Sequence, residues 1–422
     1  MCVHIMDTVD IFAAALNLPE PWSISKVEFK PDSSGSMELH IELSFPRGSK
    51  FACPECEAET TAYDTTPRTW RHLNFFQYKT YIHADLPRVK YDEHGVKTIS
   101  VPWAREGSGF TLLFEGWVVE LAKHLPVATI ANMVDEHDTR LWRFIKHYVD
   151  EARSREDYSD VTAIGIDETS KKGHKYVTVV VDLNQRKVIY VTNGKDAATV
   201  DRFAEDFKTH KGDAEAIKIV TCDMSLGFKK GINEHFVNSN TVIDKFHVIK
   251  HANEAVDEVR KWELRQGPWY KYLLTKTKYL WLKNDDNLTD EQQEKKKSLL
   301  HKRLKTARAY AMRVTLQDIY ELSTNRTEAE ERMKKLCSWI ARSRIDSMKK
   351  FGELLKNHWD EILNYFDYRY TNAILEGMNS IIQNIKRRAR GFRNDEYFKT
   401  MIYLGCGKLD FNVAKIAFSA NT

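Results

Sequence analysis

Val161-Thr162-Ala163-Ile164-Gly165-Ile166-Asp167 (residues 161–167) is a strand-sized apolar run that stops on a carboxylate. Working outward, Tyr176 to Asp182 and Lys187 to Thr192 are β-branched runs of the same size, so three neighbouring strands are predicted in succession. Ala197 to His210 has helical spacing, Ile217 to Asp223 returns to strand, and after a further helix Thr241 to Phe246 forms a fifth strand.

Three strands followed by alternating helices and strands is the order of an RNase-H-like α/β core. If the first and fourth strands are neighbours, Asp167 and Asp223 meet at one rim of the sheet, where open α/β folds bind ligands. Two carboxylates so close repel and desolvate each other unless divalent cations lie between them, and magnesium or manganese suits hard oxygen ligands. Two such ions can activate an attacking oxygen and stabilise the leaving oxygen of a phosphodiester. A third carboxylate is expected, and Asp244 and Glu376 are both candidates. Glu376 opens a helix whose later turns are expected to carry Lys386, Arg387, Arg388, Arg390 and Arg393, a basic track for a DNA backbone. Any single strand-end Asp among 60 acidic residues is ordinarily a cap or turn residue; the order of elements gives these their weight.

On the N-terminal side, Phe110 to Arg153 shows three short helical patterns: Leu112 to Leu121, Val127 to Val134 and Leu141 to Val149. Pro126 suits the start of the second, and His137-Asp138-Thr139 supplies a break and a cap for the third. That is a helix-turn-helix layout, with Arg140, Arg143 and Lys146 on the outer face of the third helix and Leu141, Phe144 and Ile145 inward. A plain helical linker would give the same periodicity. Before it, residues 1–109 read as short strands and loops, among them Val27 to Lys30 and Met37 to Phe45, and hold the close pair Cys53-Pro54-Glu55-Cys56, half of a zinc site by spacing.

Residues 251–368 carry charged helical patterns without strand signal, as an all-helical insertion into the core. Within it Trp262, Trp269, Tyr270, Tyr272, Tyr279 and Trp281 interleave with lysines. That pattern fits stacking on unpaired bases or the aromatic core of packed helices with snorkelling lysines. Thr371 to Leu404 is expected to resume as an amphipathic helix on the sheet. The chain is therefore read as an α+β multidomain protein: a zinc-ribbon-like module (1–109), a helix-turn-helix (110–155), an RNase-H-like core (156–250), the insertion (251–368), and a closing helix and tail (369–422).

A chain of 422 residues with 42% hydrophobic content can bury several cores. Its mean hydropathy of −0.52 and strand-sized apolar runs exclude a helical membrane protein. The first twelve residues, MCVHIMDTVDIF, lack the pattern of an export signal, so a cytoplasmic protein is expected. Six scattered cysteines are no secreted disulfide framework. A net charge of +4 is too small to name a partner, so the clustering of basic residues carries that argument.

In order along the chain stand Pro87-Arg88-Val89 with His94-Gly95-Val96-Lys97, Val101-Pro102-Trp103-Ala104, Gly165-Ile166-Asp167-Glu168, Cys222-Asp223-Met224-Ser225, Asp244-Lys245-Phe246-His247-Val248, and Glu376-Gly377-Met378-Asn379 through Arg390-Gly391-Phe392-Arg393. With these motifs the chain, from about Cys53 to Phe411, resembles bacterial insertion-sequence transposases of the ISL-three type, a branch of the DDE superfamily. The resemblance implies Asp167, Asp223 and Glu376 as catalytic carboxylates holding two Mg2+ or Mn2+ ions, with Asp244 a structural neighbour. It implies binding of element ends and target DNA, hydrolysis followed by strand transfer, and a homodimer or larger synaptic complex at the nucleoid. It also implies a zinc site of Cys53, Cys56 and His94, whose fourth ligand, a cysteine in the family, is Tyr91 here; Asp92, His72 and His83 are candidate substitutes. Two rival readings use the same residues: an RNase-H-like nuclease without strand transfer, and a DNA-binding regulator that has lost its chemistry.

Overall fold

The computed structural model describes residues 8–91, 95–171, 176–370 and 373–412. The chain divides into two compact units: the first 155 residues with Ile385–Leu404 and the segment from Leu409, and Glu156–Asn384 with Gly405–Lys408.

The first unit begins with α1 (Thr8–Leu16) and strands β1 (Ser23–Pro31), β2 (Met37–Ser44), β3 (Lys50–Ala52), β4 (Glu59–Thr61), β5 (Asp64–Phe75), β6 (Tyr78–Tyr91) and β7 (Gly95–Thr98). One sheet has the order β1-β2-β6-β5 with β7 also on β6, and β3–β4 forms a separate small ribbon around the cysteine pair. Alternation along β2 buries Leu39, Ile41 and Leu43 against Trp22, Trp70 and Ile82. The expectation of a small module of short strands is corrected here, since β5 and β6 run for 12 and 14 residues. Charged residues inside them hide their length. Arg71 on β5 is only 2% exposed, its guanidinium lying 5.5 Å from the rings of both Tyr81 and Phe114 and donating to the carbonyls of Thr80 and Val134.

Three helices follow, α2 (Leu112–His124), α3 (Val127–Val134) and α4 (Asp138–Ser154). Thr111 caps α2 by accepting from the Phe114 amide, Asp135 in the left-handed region (φ 51°) closes α3, and His137 caps α4. Leu141, Phe144 and Ile145 are buried as their spacing requires.

The second unit is built on β8 (Ala163–Ser170), β9 (Tyr176–Asp182), β10 (Lys187–Asn193), β11 (Ile219–Cys222) and β12 (Asn240–Ile243), in the order β10-β9-β8-β11-β12. β8 is antiparallel to β9 and parallel to β11, and β11 is parallel to β12. This is the RNase-H-like arrangement. One face is covered by α5 (Ala197–Thr209) and α6 (Leu226–His235) through Phe203, Phe207 and Phe228.

The opposite face is covered by helices that run through the expected insertion: α7 (Lys245–Leu264), α8 (Pro268–Leu274), α9 (Lys278–Leu282), α10 (Asp290–Leu300), α11 (Lys305–Leu322), α12 (Arg326–Arg342), α13 (Asp346–Asn357) and α14 (Trp359–Tyr368). Ala163, Ile219 and Val242 of the sheet share one core with Val248, Val256, Trp281 and Leu316 of these helices. The junction expected at 250/251 thus falls inside the unbroken α7. Of the aromatics singled out above, Trp281 is fully buried, whereas Trp262, Trp269, Tyr272 and Tyr279 are exposed, with the Lys305 ammonium 4.2 Å from the Trp262 ring.

The closing segment is two helices rather than one, α15 (Ala373–Arg388) and α16 (Asp395–Cys406). Arg390 and Gly391 have positive φ (53° and 92°) and break the helix between them.

A buried acid fixes one helix start. Glu263, 2% exposed, accepts from the Lys305 and Thr306 amides at 2.8 Å each and from the Thr306 hydroxyl at 2.7 Å, and so caps α11 from the end of α7. Glu263→Ala leaves those amides unsatisfied and is expected to lower stability by about 2–3 kcal/mol, read from the urea midpoint; a midpoint equal to wild type would refute the capping role.

Candidate active site and DNA-binding surface

A cleft of about 690 Å³ at the rim of the second unit's sheet is lined by Asp167, Asp223 and Glu376, together with Glu168, His247, Lys250 and Asn379. Asp167 does not end its strand as expected. β8 continues to Ser170 because β9 pairs with it to the end, while the parallel ladder to β11 stops at Gly165 opposite Thr221. Asp167 therefore stands on a paired strand but past the end of one neighbour, and Asp223 is the first residue after that neighbour.

Both aspartates are held by local amides. Asp223 accepts from the Ser225 amide at 2.9 Å at the entry to α6. Asp167 accepts from the Glu168 amide at 2.8 Å on one oxygen and from the Asn379 side-chain amide at 2.6 Å on the other. Burial pushes the Asp167 carboxyl up to about 6; the Glu168 amide opposes this and the charge of Asp223 adds to it. Glu376, near the start of α15, is exposed, yet its carboxyl is held above the ordinary range by desolvation and by Asp244.

Asp244, the other candidate for the third carboxylate, neither ends a strand nor lines the cleft. It is 3% exposed and caps α7, accepting from the Phe246 amide at 3.3 Å. β12 ends at Ile243 because the chain turns there into that helix.

Two functional candidates escaped sequence reasoning. Glu168 lies beside Asp167, with its carboxyl raised by burial against the pull of Lys195. His247 is lowered by burial against the pull of Asp223 and Asp244. Their sequence signal was membership of the motifs Gly165-Ile166-Asp167-Glu168 and Asp244-Lys245-Phe246-His247-Val248, to which no role was attached for either residue.

The donor set fits hard divalent cations, being oxygens with amide support. Among the described residues the one trio with ligand atoms all within 4.8 Å of one another is Asp201, Glu234 and His235, so Asp167, Asp223 and Glu376 do not all lie within that distance of one another.

In the first unit, Cys53 is buried and Cys56 exposed on the turn between β3 and β4. Burial alone would raise the Cys53 thiol; the amides of Glu55 and Cys56 outweigh it and hold the thiol below its ordinary range. An ion pair of Lys97 with Glu55 at 2.6 Å ties β7 to this turn. His94 and Asp92 lie outside the described residues, as does the Tyr91 side chain. Neither suggested histidine joins the cysteines. His72 bonds Thr111 at 2.9 Å and is pushed down to about 4 by burial, and the ring nitrogens of His83 meet His40 and Thr69.

The basic residues divide. Arg140, Arg143, Arg387, Arg388, Arg390 and Arg393 are all exposed, and they differ in what they contact. Arg140 pairs with Glu136 and lies 4.4 Å from the Phe110 ring, and Lys146 pairs with Asp150. Arg388 donates to the carbonyl of His124, the last residue of α2. Arg390 and Arg393 follow the end of α15, so the track expected along one helix is half helix, half loop, and Lys386 sits in its last turn. Trp142 faces inward and stacks on Tyr397 of α16 at 4.1 Å, with the rings 4° from parallel.

Comparison with known proteins agrees with these three parts in order. Residues 49–94 match the zinc-finger of transposase IS204/IS1001/IS1096/IS1165, residues 99–149 the helix-turn-helix domain of transposase family ISL3, and residues 164–402 the transposase domain of that family. The chain belongs to transposase family ISL3, the DDE-type transposases of insertion sequences, and is thus a DNA-binding enzyme that cleaves and transfers DNA. Among its relatives are the transposase for insertion sequence element IS1557 of Mycobacterium tuberculosis, 27% identical over 93% of this chain and 94% of the relative, and that for IS1001 of Bordetella parapertussis, 27% identical over 89% and 93%. The family resemblance implies divalent-metal chemistry and zinc. Among the described residues no helix is long and apolar enough to cross a membrane.

A carboxyl near 6 is testable without cations. Asp167 is expected to titrate about two pH units above an ordinary aspartate in carbon-13 carboxyl spectra of chelated protein. Asp223→Asn should move it down, because a like charge is removed; a titration near 4 in the parent would contradict the burial argument.

Proposed function

We propose that Asp167, Asp223 and Glu376 are the metal-binding catalytic carboxylates of this transposase, holding two Mg2+ or Mn2+ ions for hydrolysis at the element ends and for strand transfer into target DNA. The observation that carries this is the convergence of the three side chains, from positions far apart in the chain, on one cleft. Bound there, divalent ions activate the attacking oxygen and stabilise the leaving oxygen of a phosphodiester. Asp167 would take part as the carboxylate, and in the cation-free site, with the carboxyl at about 6, a binding cation would have to displace its proton at lower pH. Lys250 lines the same cleft and supplies a positive charge for a phosphate.

DNA contact is assigned to Arg140, Arg143 and Lys146 of α4 and to Lys386, Arg387, Arg388, Arg390 and Arg393. Cys53, Cys56 and His94 are the zinc ligands of the N-terminal module, which occupies 1–109 ahead of the helix-turn-helix at 110–155. Two element ends must be joined, so the working form is a homodimer or larger synaptic complex, acting in the cytoplasm on nucleoid DNA.

Asp167→Ala, Asp223→Ala and Glu376→Ala are each expected to lower cleavage of element-end DNA in Mg2+ by about a hundredfold or more while leaving DNA binding intact. Because cation and proton compete for Asp167, the Mg2+ concentration giving half-maximal parental cleavage should fall as pH rises through about 6 and level off above 7. Cleavage that persists in all three variants would end the proposal.

Arg140→Ala combined with Arg143→Ala should weaken binding to end DNA and lower the log–log salt slope by about 1 for each phosphate no longer neutralised. An unaltered slope would remove α4 from the DNA surface.

A further inference from the structure

The helix that carries Glu376 lies on β8 in a definite register. Leu375, Asn379 and Gln383, each one turn apart, meet Gly165, Asp167 and Thr169, which share one face of the strand. A Cβ on Gly165 would stand 2.8 Å from Leu375 Cδ1, Asn379 Nδ2 donates to Asp167 Oδ2 at 2.6 Å, and Gln383 Nε2 donates to Thr169 Oγ1 at 2.6 Å. Four residues of helix rise about 6 Å and two of strand about 6.6 Å, so the periods keep step over these three contacts. Slipping α15 by one residue would break all of them at once.

We propose that Asn379 is a positioning residue that couples Asp167 to Glu376, orienting the Asp167 carboxylate for cations and fixing the register of the helix on which Glu376 is carried. The inference rests on the carboxylate assignment above. Asp167 Oδ1 is held by the Glu168 amide. Its Oδ2 is held by Asn379, and each oxygen keeps a second lone pair for a cation. A carboxylate has a broad torsional well about its last bond, so removing one of two donors lets the group turn within the half-buried site. Glu376 lies three residues before Asn379 on the same helix, so the bond that orients one acid also sets the height of the other against the strand. The open space a Cβ would find at Gly165 is already filled by Leu375, which gives the register a steric stop beside its polar one.

The test is Mn2+ binding to the full chain without DNA, followed by electron paramagnetic resonance, on the parent and on Asp167→Asn, Asn379→Ala and Asn379→Leu, the last keeping the volume while removing the donor. Both Asn379 variants are expected to bind Mn2+ about 10- to 100-fold more weakly, with melting temperature and binding to end DNA retained. The Mg2+ concentration giving half-maximal cleavage should rise by a similar factor, with excess Mn2+ restoring the rate. Unchanged Mn2+ affinity in both variants overturns the proposal, and so does loss of the fold in both, which would make Asn379 a packing residue. If Asp167→Asn binds Mn2+ as the parent does, the carboxylate assignment itself fails, a result distinct from either.

Discussion

The catalytic half of the molecule depends on the unequal pairing of β8. On one side its ladder with β9 runs to Ser170; on the other its ladder with β11 stops at Gly165, and the chain leaves the sheet through Asp223 into α6. A strand supported on one edge and open on the other can present a side chain at a rim without fraying. Asp167 stands at that step. Its burial makes ionisation costly, and the amides of Glu168 and Asn379 offset part of the cost. An acidic centre poised in this way favours a cation over a proton as pH rises, which is the behaviour a metal-dependent phosphodiester chemistry requires.

The helices from α7 to α14 are tied into the same core. α7 starts at the cap formed by Asp244, so His247 and Lys250 on its first turns line the cleft while Val248, Ala252 and Val256 enter the core. It packs against α11 and α13 further on. Buried polar groups fix these contacts: Glu263 caps α11, and Arg313 meets Asn253 and Asn284. A helix anchored this way holds its cleft residues on a rigid support, which is what placing a phosphodiester within tenths of an ångström demands.

In the other unit, residues from opposite ends of the chain form one body. The Trp142–Tyr397 stack and the Arg388–His124 bond join the helix-turn-helix to α16 and to the end of α15. The basic run thereby acquires two kinds of member. Arg388 donates to a helix C-terminal carbonyl, where a cation also complements the helix dipole, while Arg387 precedes it and Arg390 and Arg393 fall in the loop after α15, all of them exposed.

Local composition determined the strands of the catalytic core, the three helices after Phe110 with their breaks at Pro126 and at His137-Asp138-Thr139, and the candidate carboxylates, because apolar periodicity and capping chemistry act within a few residues. Charge inside a strand masked β5 and β6, since Arg71 and its neighbours read as a surface loop until the rings of Tyr81 and Phe114 enclose them. Tertiary structure alone decided that Asp167 lies within its strand, that Asp244 is the cap of α7, and that Glu168, His247 and Asn379 line the cleft with Glu376. Each of those outcomes turns on where a neighbouring strand stops or a distant helix lands. Asn379 and Asp167, which make such a contact, stand 212 residues apart, and no local pattern carries it.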